Sequence, residues 1–339
     1  MNMKYTLEIT TKIGCSNVCE YCPQTKLIRN YTNNLHNAVM KKHFNDEKDV
    51  KEIESLLLHK YLEKDKNRTT MMSLDTFKKC LSSITPEVDI HFTGYTEAFE
   101  NPDCIDMICH VHEKGHKVLI NTTLVGLTPE IITRLEKIQN FKDFNVHLPS
   151  ATYYENIGRT SKKQKSETGK DITDDYLHIL DCMIDARFPK HFHTHSADGY
   201  ALHPEIEEHA GDRIRAIGYN NRGLNSRAGN LGKLTGERLW ENNWCQRIIQ
   251  NVLLPDGTVQ LCCQDYGLEE PLGNLTIMDY PDIFETNNFK NRIMNGKTDI
   301  CNRCGDGVAV SREGFYKLNN MQKFNDNWNT VLDAITNPD

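Results

Sequence analysis

The chain lacks any apolar run long enough to cross a membrane, and its N-terminal residues lack the apolar segment of a secretory signal peptide. It also lacks an excess of basic residues, since 40 Lys and Arg stand against 47 Asp and Glu, a formal net charge of -7. Nucleic-acid binding depends on clustered Lys and Arg, so the composition gives no electrostatic reason to expect nucleic acid as a partner. We therefore expect a cytoplasmic protein that binds neither membranes nor nucleic acid.

Cysteine, in contrast, is abundant. The 339 residues include 12 Cys, in a chain whose 38% hydrophobic and 26% charged content is otherwise that of an ordinary globular protein. In a reducing compartment this many thiols indicate metal or redox chemistry rather than a disulfide framework. The length allows one large domain, or a core with a smaller domain attached.

Three of the cysteines, Cys15, Cys19 and Cys22, follow a strand-like run at residues 5–10 in which apolar and polar residues alternate. The spacing Cys-x3-Cys-x2-Cys allows one loop to bring three sulfurs onto a single small inorganic group. Four ligands would close a structural site, whereas three leave a coordination position open, which suits catalysis. A zinc-knuckle fragment and three unrelated thiols are the alternatives to an iron–sulfur cluster.

This spacing, with the aromatic Tyr21 directly before the last cysteine, resembles the signature of the radical S-adenosylmethionine (SAM) enzymes. The resemblance implies that Cys15, Cys19 and Cys22 bind three irons of a [4Fe–4S] cluster, with Tyr21 among the cofactor-binding residues. The fourth iron would take the amino and carboxylate groups of SAM, and an electron from the cluster would cleave SAM to a 5′-deoxyadenosyl radical. An external electron donor such as flavodoxin or ferredoxin is then expected as a partner.

From residue 73 onward, helix and strand patterns alternate. The patterns predict helices over 73–84, 101–115, 128–138 and 174–187, and strands over 88–93, 117–121, 144–148, 191–195 and 213–218. Repeated strand–helix units imply parallel strands with right-handed crossovers, and hence an open or closed α/β barrel. The family resemblance implies a partial (β/α)6 TIM-type barrel over residues 1–230.

A polar insertion at residues 27–72 interrupts this pattern and contains apolar residues at helical spacing. One interpretation is a solvated helix packed on the outside of the core. The other is a lid or docking element over the open face of the barrel, because long insertions beside a site are often functional.

Four residues at the ends of predicted strands match positions that bind SAM in the family. Residues 92–98 resemble its Gly-Gly-Glu-Pro segment, which receives the SAM amino group: Gly94 and Glu97 match, whereas Tyr95, Thr96 and Ala98 depart from the pattern. Asn121 lies where the SAM pocket is lined, and His147 lies in the region that reaches the ribose, although His is not the usual residue there. The alternatives are a helix cap for Glu97 and a structural barrel histidine for His147.

His191, His193 and His195 alternate, so they share one face of a strand. This spacing would suit a metal. Two further interpretations are hydrogen bonding to substrate or cofactor and a structural role in lining the barrel.

A second set of cysteines lies in the C-terminal third of the chain, at Cys245, Cys262, Cys263, Cys301 and Cys304. Residues 252–261 read as a β-hairpin with a Pro-Asp-Gly turn, which places a thiol at its end. Four of these thiolates could hold zinc or a [4Fe–4S] cluster, and spacing alone does not distinguish the two.

These positions resemble the SPASM/Twitch extension of radical SAM enzymes, in which Cys245 and Cys262 open the site and Cys301 and Cys304 close it. Cys262 fits better than Cys263 because it stands at the family's spacing from Gly257. Since the further cysteines of a full SPASM domain are absent from the sequence, the resemblance implies one auxiliary [4Fe–4S] cluster in a β-hairpin plus helix domain over residues 231–310. A C-terminal helix is predicted over 311–339.

The sequence therefore predicts an enzyme that generates a radical from SAM and abstracts a hydrogen atom from its substrate. Enzymes similar in having a single auxiliary cluster oxidise an alcohol on an aminocyclitol, so dehydrogenation of a polyol- or sugar-like small molecule is the first hypothesis. Peptide modification, by epimerisation or thioether formation, is the alternative within the same class. Outside it stand a zinc-binding module and a non-enzymatic iron–sulfur protein.

Overall fold

The computed structural model describes residues 5–17, 22–32, 70–150, 172–194, 202–221, 228, 244–286, 289, 298–302, 304 and 309–310. Cys19, Tyr21, His195, most of the predicted insertion and the predicted C-terminal helix lie outside the described residues.

The described chain is organised around a curved sheet of nine strands. The first six strands in sequence are β1 (Thr6–Ile9), β2 (Asp89–Phe92), β3 (Val118–Thr122), β4 (Phe141–His147), β5 (His191–Thr194) and β6 (Tyr219–Asn221). The C-terminal part adds β7 (Trp244–Cys245), β8 (Gln250–Leu253), β9 (Thr258–Gln260), β10 (Pro271–Asn274) and β11 (Ala309–Val310). The sheet order is β10-β9-β8-β1-β2-β3-β4-β5-β6, while β7 and β11 form a separate antiparallel pair.

Helices connect the parallel strands. They are α1 (Gln24–Thr32), α2 (Leu74–Leu81), α3 (Cys104–Glu113), α4 (Pro129–Leu135), α5 (Asp174–Asp185) and α6 (Pro204–Ile217), with α7 (Tyr280–Glu285) and α8 (Asp299–Asn302) in the C-terminal part. Six parallel strands, β1 to β6, with helices between them confirm the predicted partial barrel.

Strand β1 shows how the barrel builds its core. Leu7 and Ile9 belong to the main hydrophobic cluster, but Thr6 and Glu8 on the other face are buried as well. The alternation in sequence therefore does not mark a solvent-facing side, because both faces of a parallel barrel strand are covered.

The prediction of a strand at residues 213–218 was wrong. These residues end α6, and the last barrel strand is β6, directly after them. His203 caps α6, Pro204 occupies its first turn, and the buried Ile206, Ala210 and Ile214 recur every four residues. Helix-start signals and a longer helical period thus outweigh a short alternating run.

The start of α3 also differs from the prediction. The helix begins at Cys104, three residues into the predicted range 101–115, and Asp103 precedes it without a side-chain capping bond. The Asn101 side chain instead connects three segments: its Oδ1 accepts from Asp103 N at 2.9 Å, and its Nδ2 donates to Thr11 O and Met72 O at 2.9 and 2.8 Å.

The predicted C-terminal hairpin is present as β8 and β9, and its Gly257 has a φ of 87°. Strand β8 also pairs in parallel with β1, from Thr6 opposite Gln250 to Ile9 opposite Leu253. The C-terminal hairpin therefore extends the barrel sheet, while the domain division at residue 230 stays a prediction. None of the described helices is both long and apolar enough to cross a membrane.

Candidate active site

A pocket opens at the C-terminal ends of β1 to β4, where parallel barrels place their working residues. All of the predicted core-site residues within the described ranges line it: Cys15, Cys22, Gly94, Glu97, Asn121 and His147. The loop after β1, the loop after β2 and the ends of β3 and β4 thus bring residues more than 100 positions apart into one cavity.

The cysteine loop is held to the barrel by polar contacts on both sides of Cys15. Glu100 accepts from the Ser16 backbone N–H at 2.8 Å and forms an ion pair with Lys12 at 2.9 Å. Asn17 Nδ2 donates to Thr123 Oγ1 at 2.8 Å. These contacts fix the position of the first cysteine relative to the ends of β2 and β3.

Cys15 combines burial with backbone donors. Burial raises the pKa of its thiol to about 11, while the backbone N–H groups of Glu97 and Asn17 that hydrogen-bond to the sulfur act in the opposite direction. A thiol in this position binds iron by releasing its proton, and N–H groups directed at the sulfur then stabilise the thiolate.

Cys22 has side-chain partners instead. Gln24 Nε2 donates to its Sγ at 3.5 Å, and the Cys22 thiol donates to Tyr266 Oη at 3.6 Å. Because an iron-bound thiolate only accepts, the Tyr266 O–H would donate to it, and both described cysteines of the core motif would then have donors directed at their sulfurs. On this ground the described residues fit a [4Fe–4S] cluster.

Glu97 is buried, with four donors around its carboxylate. Oε1 accepts from Thr122 Oγ1 at 2.9 Å and Phe99 N at 3.4 Å, and Oε2 accepts from Thr123 N and Thr123 Oγ1 at 2.7 and 2.8 Å. Burial raises the pKa of Glu97 and these bonds oppose the shift. A carboxylate offers about four lone-pair sites, so all of them are in use here. Glu97 caps the short 3₁₀ helix Ala98–Glu100 and lines the pocket as well.

Gly94 allows the loop after β2 to lie against the end of β1. Its N–H donates to Ile9 O at 3.3 Å, and a Cβ at this position would lie 2.6 Å from the same oxygen. Such a distance is far below van der Waals contact, so a side chain here would push the loop away from the cysteine segment. Gly94 is thus required by packing, whatever it contacts in the pocket.

Four polar side chains form a connected group, which we call the polar wall: Asn121 and His147, which line the pocket, and Asn145 and His193, which contact them. Asn145 Nδ2 donates to Asn121 Oδ1 at 3.0 Å, and Asn145 Oδ1 lies 2.6 Å from His193 Nε2. The rings of His147 and His193 meet edge to face with centroids 5.7 Å apart. His191, at the other end of β5, pairs with Asp143 and is 60% exposed.

Two of the C-terminal cysteines, Cys245 and Cys304, pack together against Ala228. Burial raises the pKa of the Cys262 thiol, and the neighbouring Cys263 and Cys301 act in the same direction. Cys263 packs in a different cluster, together with Cys22, and accepts from Arg247 Nη1 at 3.5 Å. Among the described residues, no group of three His, Cys, Asp or Glu side chains is arranged so that it could hold a metal ion. The auxiliary ligand set, with Cys262 preferred, stays a prediction.

Gln24, Tyr266, Glu100 and Asn17 contact the core-site cysteines or their loop without having been predicted from the sequence. Asn17 lies within the cysteine motif and Gln24 follows it by two residues, so proximity in the sequence was the one available signal. Glu100 and Tyr266 are brought in by tertiary structure from 84 and 244 residues away. No local pattern marks such contacts.

Comparison with known proteins gives a family for the C-terminal part and a fold for the whole chain. Residues 227–305 match SPASM, an iron-sulfur cluster-binding domain. No sequence among the curated proteins matches the chain.

Two solved proteins share the fold. The structure of BtrN in complex with AdoMet and 2-DOIA has a TM-score of 0.52 at 17% identity, covering 93% of this chain and 97% of BtrN. Native anSMEcpe with bound AdoMet has a TM-score of 0.50 at 11% identity, covering 98% of this chain and 100% of that one. The same protein with AdoMet and the Cp18Cys peptide has a TM-score of 0.50 at 12% identity over 98% and 99% of the two chains.

Residues 227–305 thus match an iron–sulfur cluster-binding domain, and the chain shares its fold with two solved proteins that were determined with AdoMet bound.

Proposed function

We propose that this protein is a radical SAM enzyme that dehydrogenates a small polyol- or sugar-like substrate. The observation that carries the proposal is the convergence of Cys15, Cys22, Gly94, Glu97, Asn121 and His147 on one pocket at the C-terminal ends of the strands. A [4Fe–4S] cluster held there together with SAM would supply a 5′-deoxyadenosyl radical able to abstract a hydrogen atom from an unactivated carbon.

The residues around the pocket have distinct tasks in this proposal. Cys15, Cys19 and Cys22 would hold the cluster, and Tyr21, Gly94, Glu97, Asn121 and His147 would hold SAM. The Glu97 oxygens are shared with threonine donors at 2.7–2.9 Å, so binding of an ammonium group there would replace or lengthen one of these bonds. Cys245, Cys262, Cys301 and Cys304 would hold the auxiliary cluster, which accepts an electron or binds substrate.

The polar wall supports a small hydroxylated substrate. Its amide and imidazole groups are buried or half-buried and already orient one another, and Asn121 and His147 present preorganised donors and acceptors to the pocket that SAM and a hydroxylated substrate would share. BtrN, one of the structures that share this fold, is described with AdoMet and a small molecule bound. A peptide substrate is the alternative, because anSMEcpe is described with a bound peptide.

The first experiment counts iron and sulfide after anaerobic reconstitution, in the wild type and in a Cys15/Cys19/Cys22→Ala variant. About eight irons in the wild type and about four in the variant are expected for two [4Fe–4S] clusters. SAM cleavage to 5′-deoxyadenosine should occur in the wild type alone. Zinc as the only metal after this treatment would overturn the proposal.

Substrate class is tested by incubating the reconstituted enzyme with SAM, an electron donor such as flavodoxin or ferredoxin, and panels of polyols, aminocyclitols and peptides. Mass spectrometry should find a polyol or aminocyclitol product that has lost two hydrogen atoms. A modified peptide with every small molecule unchanged would favour the peptide alternative instead.

A further inference from the structure

Tyr266 lies between the two groups of cysteines. It follows Cys262 and Cys263 closely in sequence, yet its Oη is 3.6 Å from Cys22 Sγ, at a separation of 244 residues. The residue is 4% exposed, and its ring packs on that of Tyr95 with centroids 4.6 Å apart. The C-terminal part of the chain thereby places a phenol directly against the core cysteine motif.

The loop that carries Tyr266 is held rigidly. Tyr95 Oη donates to Cys262 O at 2.9 Å. Tyr95, whose ring packs against that of Tyr266, is therefore also hydrogen-bonded to the loop that carries Tyr266. The Asp265 carboxylate accepts from the backbone N–H groups of Glu269 and Glu270 at 2.9 and 2.8 Å, which closes the turn after Tyr266. A side chain supported in this way has little freedom to leave the sulfur.

The direction of the hydrogen bond follows from the chemistry of an iron-bound cysteine. Its sulfur is a thiolate that carries no proton and therefore only accepts, so the Tyr266 O–H must donate. Hydrogen bonds to cluster sulfurs are among the factors that set the reduction potential. They stabilise the reduced cluster most, because it carries the larger negative charge.

Resting on the proposed function, we propose that Tyr266 is a positioning residue of the core cluster. Through its hydrogen bond to Cys22 it raises the reduction potential of the cluster that reacts with SAM. The residue comes from the part of the chain that matches SPASM, so the C-terminal domain would tune the radical-generating centre directly.

The test is a redox titration of the anaerobically reconstituted protein, followed by electron paramagnetic resonance. The signal that changes on addition of SAM reports the core cluster. Tyr266→Phe keeps the ring and removes the donor, so its core-cluster potential should shift to a more negative value. The matched control is Tyr280→Phe, which removes a buried phenol 3.2 Å from Asn251 Oδ1 and away from the core cysteines; its core-cluster potential should equal that of the wild type.

A second variant guards against loss of folding or of cluster loading in Tyr266→Phe. Placing 3-fluorotyrosine at position 266 preserves the size of the ring and makes the phenol a stronger donor, so the potential should shift to a more positive value. Unchanged potentials in both Tyr266 variants would overturn this proposal alone. A wild-type protein without any SAM-sensitive cluster signal would overturn the proposed function together with it.

Discussion

The Glu97 carboxylate accepts from donors on the 3₁₀ helix after β2 and at the end of β3. In Glu97→Gln the amide NH₂ replaces one oxygen and faces donors that then lack an acceptor. Leaving buried donors unsatisfied costs about 1–3 kcal/mol, so the free energy of unfolding in urea should fall by about that amount.

The matched control for this substitution is Glu113→Gln, at a side chain that is 72% exposed at the end of α3. Its stability should stay within about 0.5 kcal/mol of the wild type. If the two variants were equally stable, Glu97 would have no structural role, and SAM binding would be its remaining one.

His91 connects stability to pH. Burial, with a smaller contribution from the nearby Lys142, lowers the pKa of His91 to about 3, whereas the unfolded chain titrates near its ordinary value of 6.5. The unfolded state therefore takes up the proton first, and the stability present above pH 6.5 is lost as the pH falls from 6.5 toward 3.

Between pH 7 and pH 5 this protonation should remove about 2 kcal/mol of stability, at about 1.4 kcal/mol per pH unit below the unfolded pKa. Urea unfolding of the wild type and of His91→Gln at both pH values measures the difference. The pH dependence should be shallower in the variant by that amount. Identical pH dependences would show that His91 is accessible to protons in the folded state.

The sequence pattern put the predicted core-site residues at the ends of strands, and those within the described ranges line one pocket, while their roles stay predictions. The core cysteines, Gly94 and Glu97 were recognisable by spacing and type, and the barrel pattern indicated that they would meet. Tyr266 was not predictable, because its contact with Cys22 depends on the packing of β8 against β1. The hydrogen bonds that Thr122 and Thr123 donate to the Glu97 carboxylate likewise depend on tertiary structure.

At the level of elements, the turn between β8 and β9 is tightly constrained. Gly257 has a φ of 87°, and a Cβ there would lie 2.5 Å from Thr276 Cγ2 and 2.9 Å from Asn274 Oδ1. Gly115, at the end of α3, has a similar φ of 82° but no atom within 4 Å of such a Cβ. Comparing alanine substitutions at these two glycines therefore distinguishes the cost of a left-handed backbone conformation from the cost of steric overlap with neighbouring atoms.

Both Gly115→Ala and Gly257→Ala should incur the cost of a left-handed conformation, about 1–2 kcal/mol. Gly257→Ala adds overlap with Asn274, whose Oδ1 is already bonded to Thr276 N and Oγ1 at 2.9 and 2.6 Å, and should lose a further 1–3 kcal/mol or so. Thermal unfolding should give a lower Tm for Gly257→Ala than for Gly115→Ala. Equal Tm values would mean that the hairpin relaxes around the methyl group.

The pattern of elements was largely predictable because several barrel helices carry start or stop signals in their own sequence. Thr128 and Pro129 open α4 at the start of the predicted range 128–138, and Gly115, the last residue of the predicted range 101–115, follows α3 with a positive φ. The error at residues 213–218 arose from judging these six residues without the helix start at His203 and Pro204. Local alternation is weak evidence when a stronger signal lies ten residues upstream.

At the scale of the whole molecule, the C-terminal part extends the barrel sheet beyond β1. Thr10 N donates to Leu253 O at 2.9 Å, the Tyr5 and Phe284 rings meet at 5.2 Å, and Tyr280 N donates to Ser83 Oγ at 3.0 Å. Strand β1 is thus hydrogen-bonded on both edges, by β2 and by β8. The sequence pattern predicted a hairpin here but had no means of predicting its parallel partner, because non-local pairing leaves no local signal.

Unfolding should therefore be cooperative across the chain. All three tryptophans, Trp240, Trp244 and Trp328, lie in the C-terminal third, so their fluorescence reports that part, whereas circular dichroism reports mainly the barrel helices. In urea the two probes should give coincident transitions for the reconstituted protein, as expected when one sheet spans both parts. Fluorescence that changes at a clearly lower urea concentration would show instead that the C-terminal part unfolds independently.

Truncating the chain before β8 would remove the pairing of β8 with β1. A chain of residues 1–230 would leave β1 as an open edge strand and uncover Leu7 and Ile9, which are 0% and 1% exposed in the full chain. Exposed apolar edge strands pair between molecules, so the truncated chain should aggregate or lack a cooperative transition by circular dichroism. Because β1 leads directly into the cysteine loop, loss of β8 should also disturb the site from which Cys15 is presented. A soluble 1–230 chain with a cooperative transition would mean that β2 alone holds β1 in place, and that the C-terminal part contributes to chemistry without supporting the barrel.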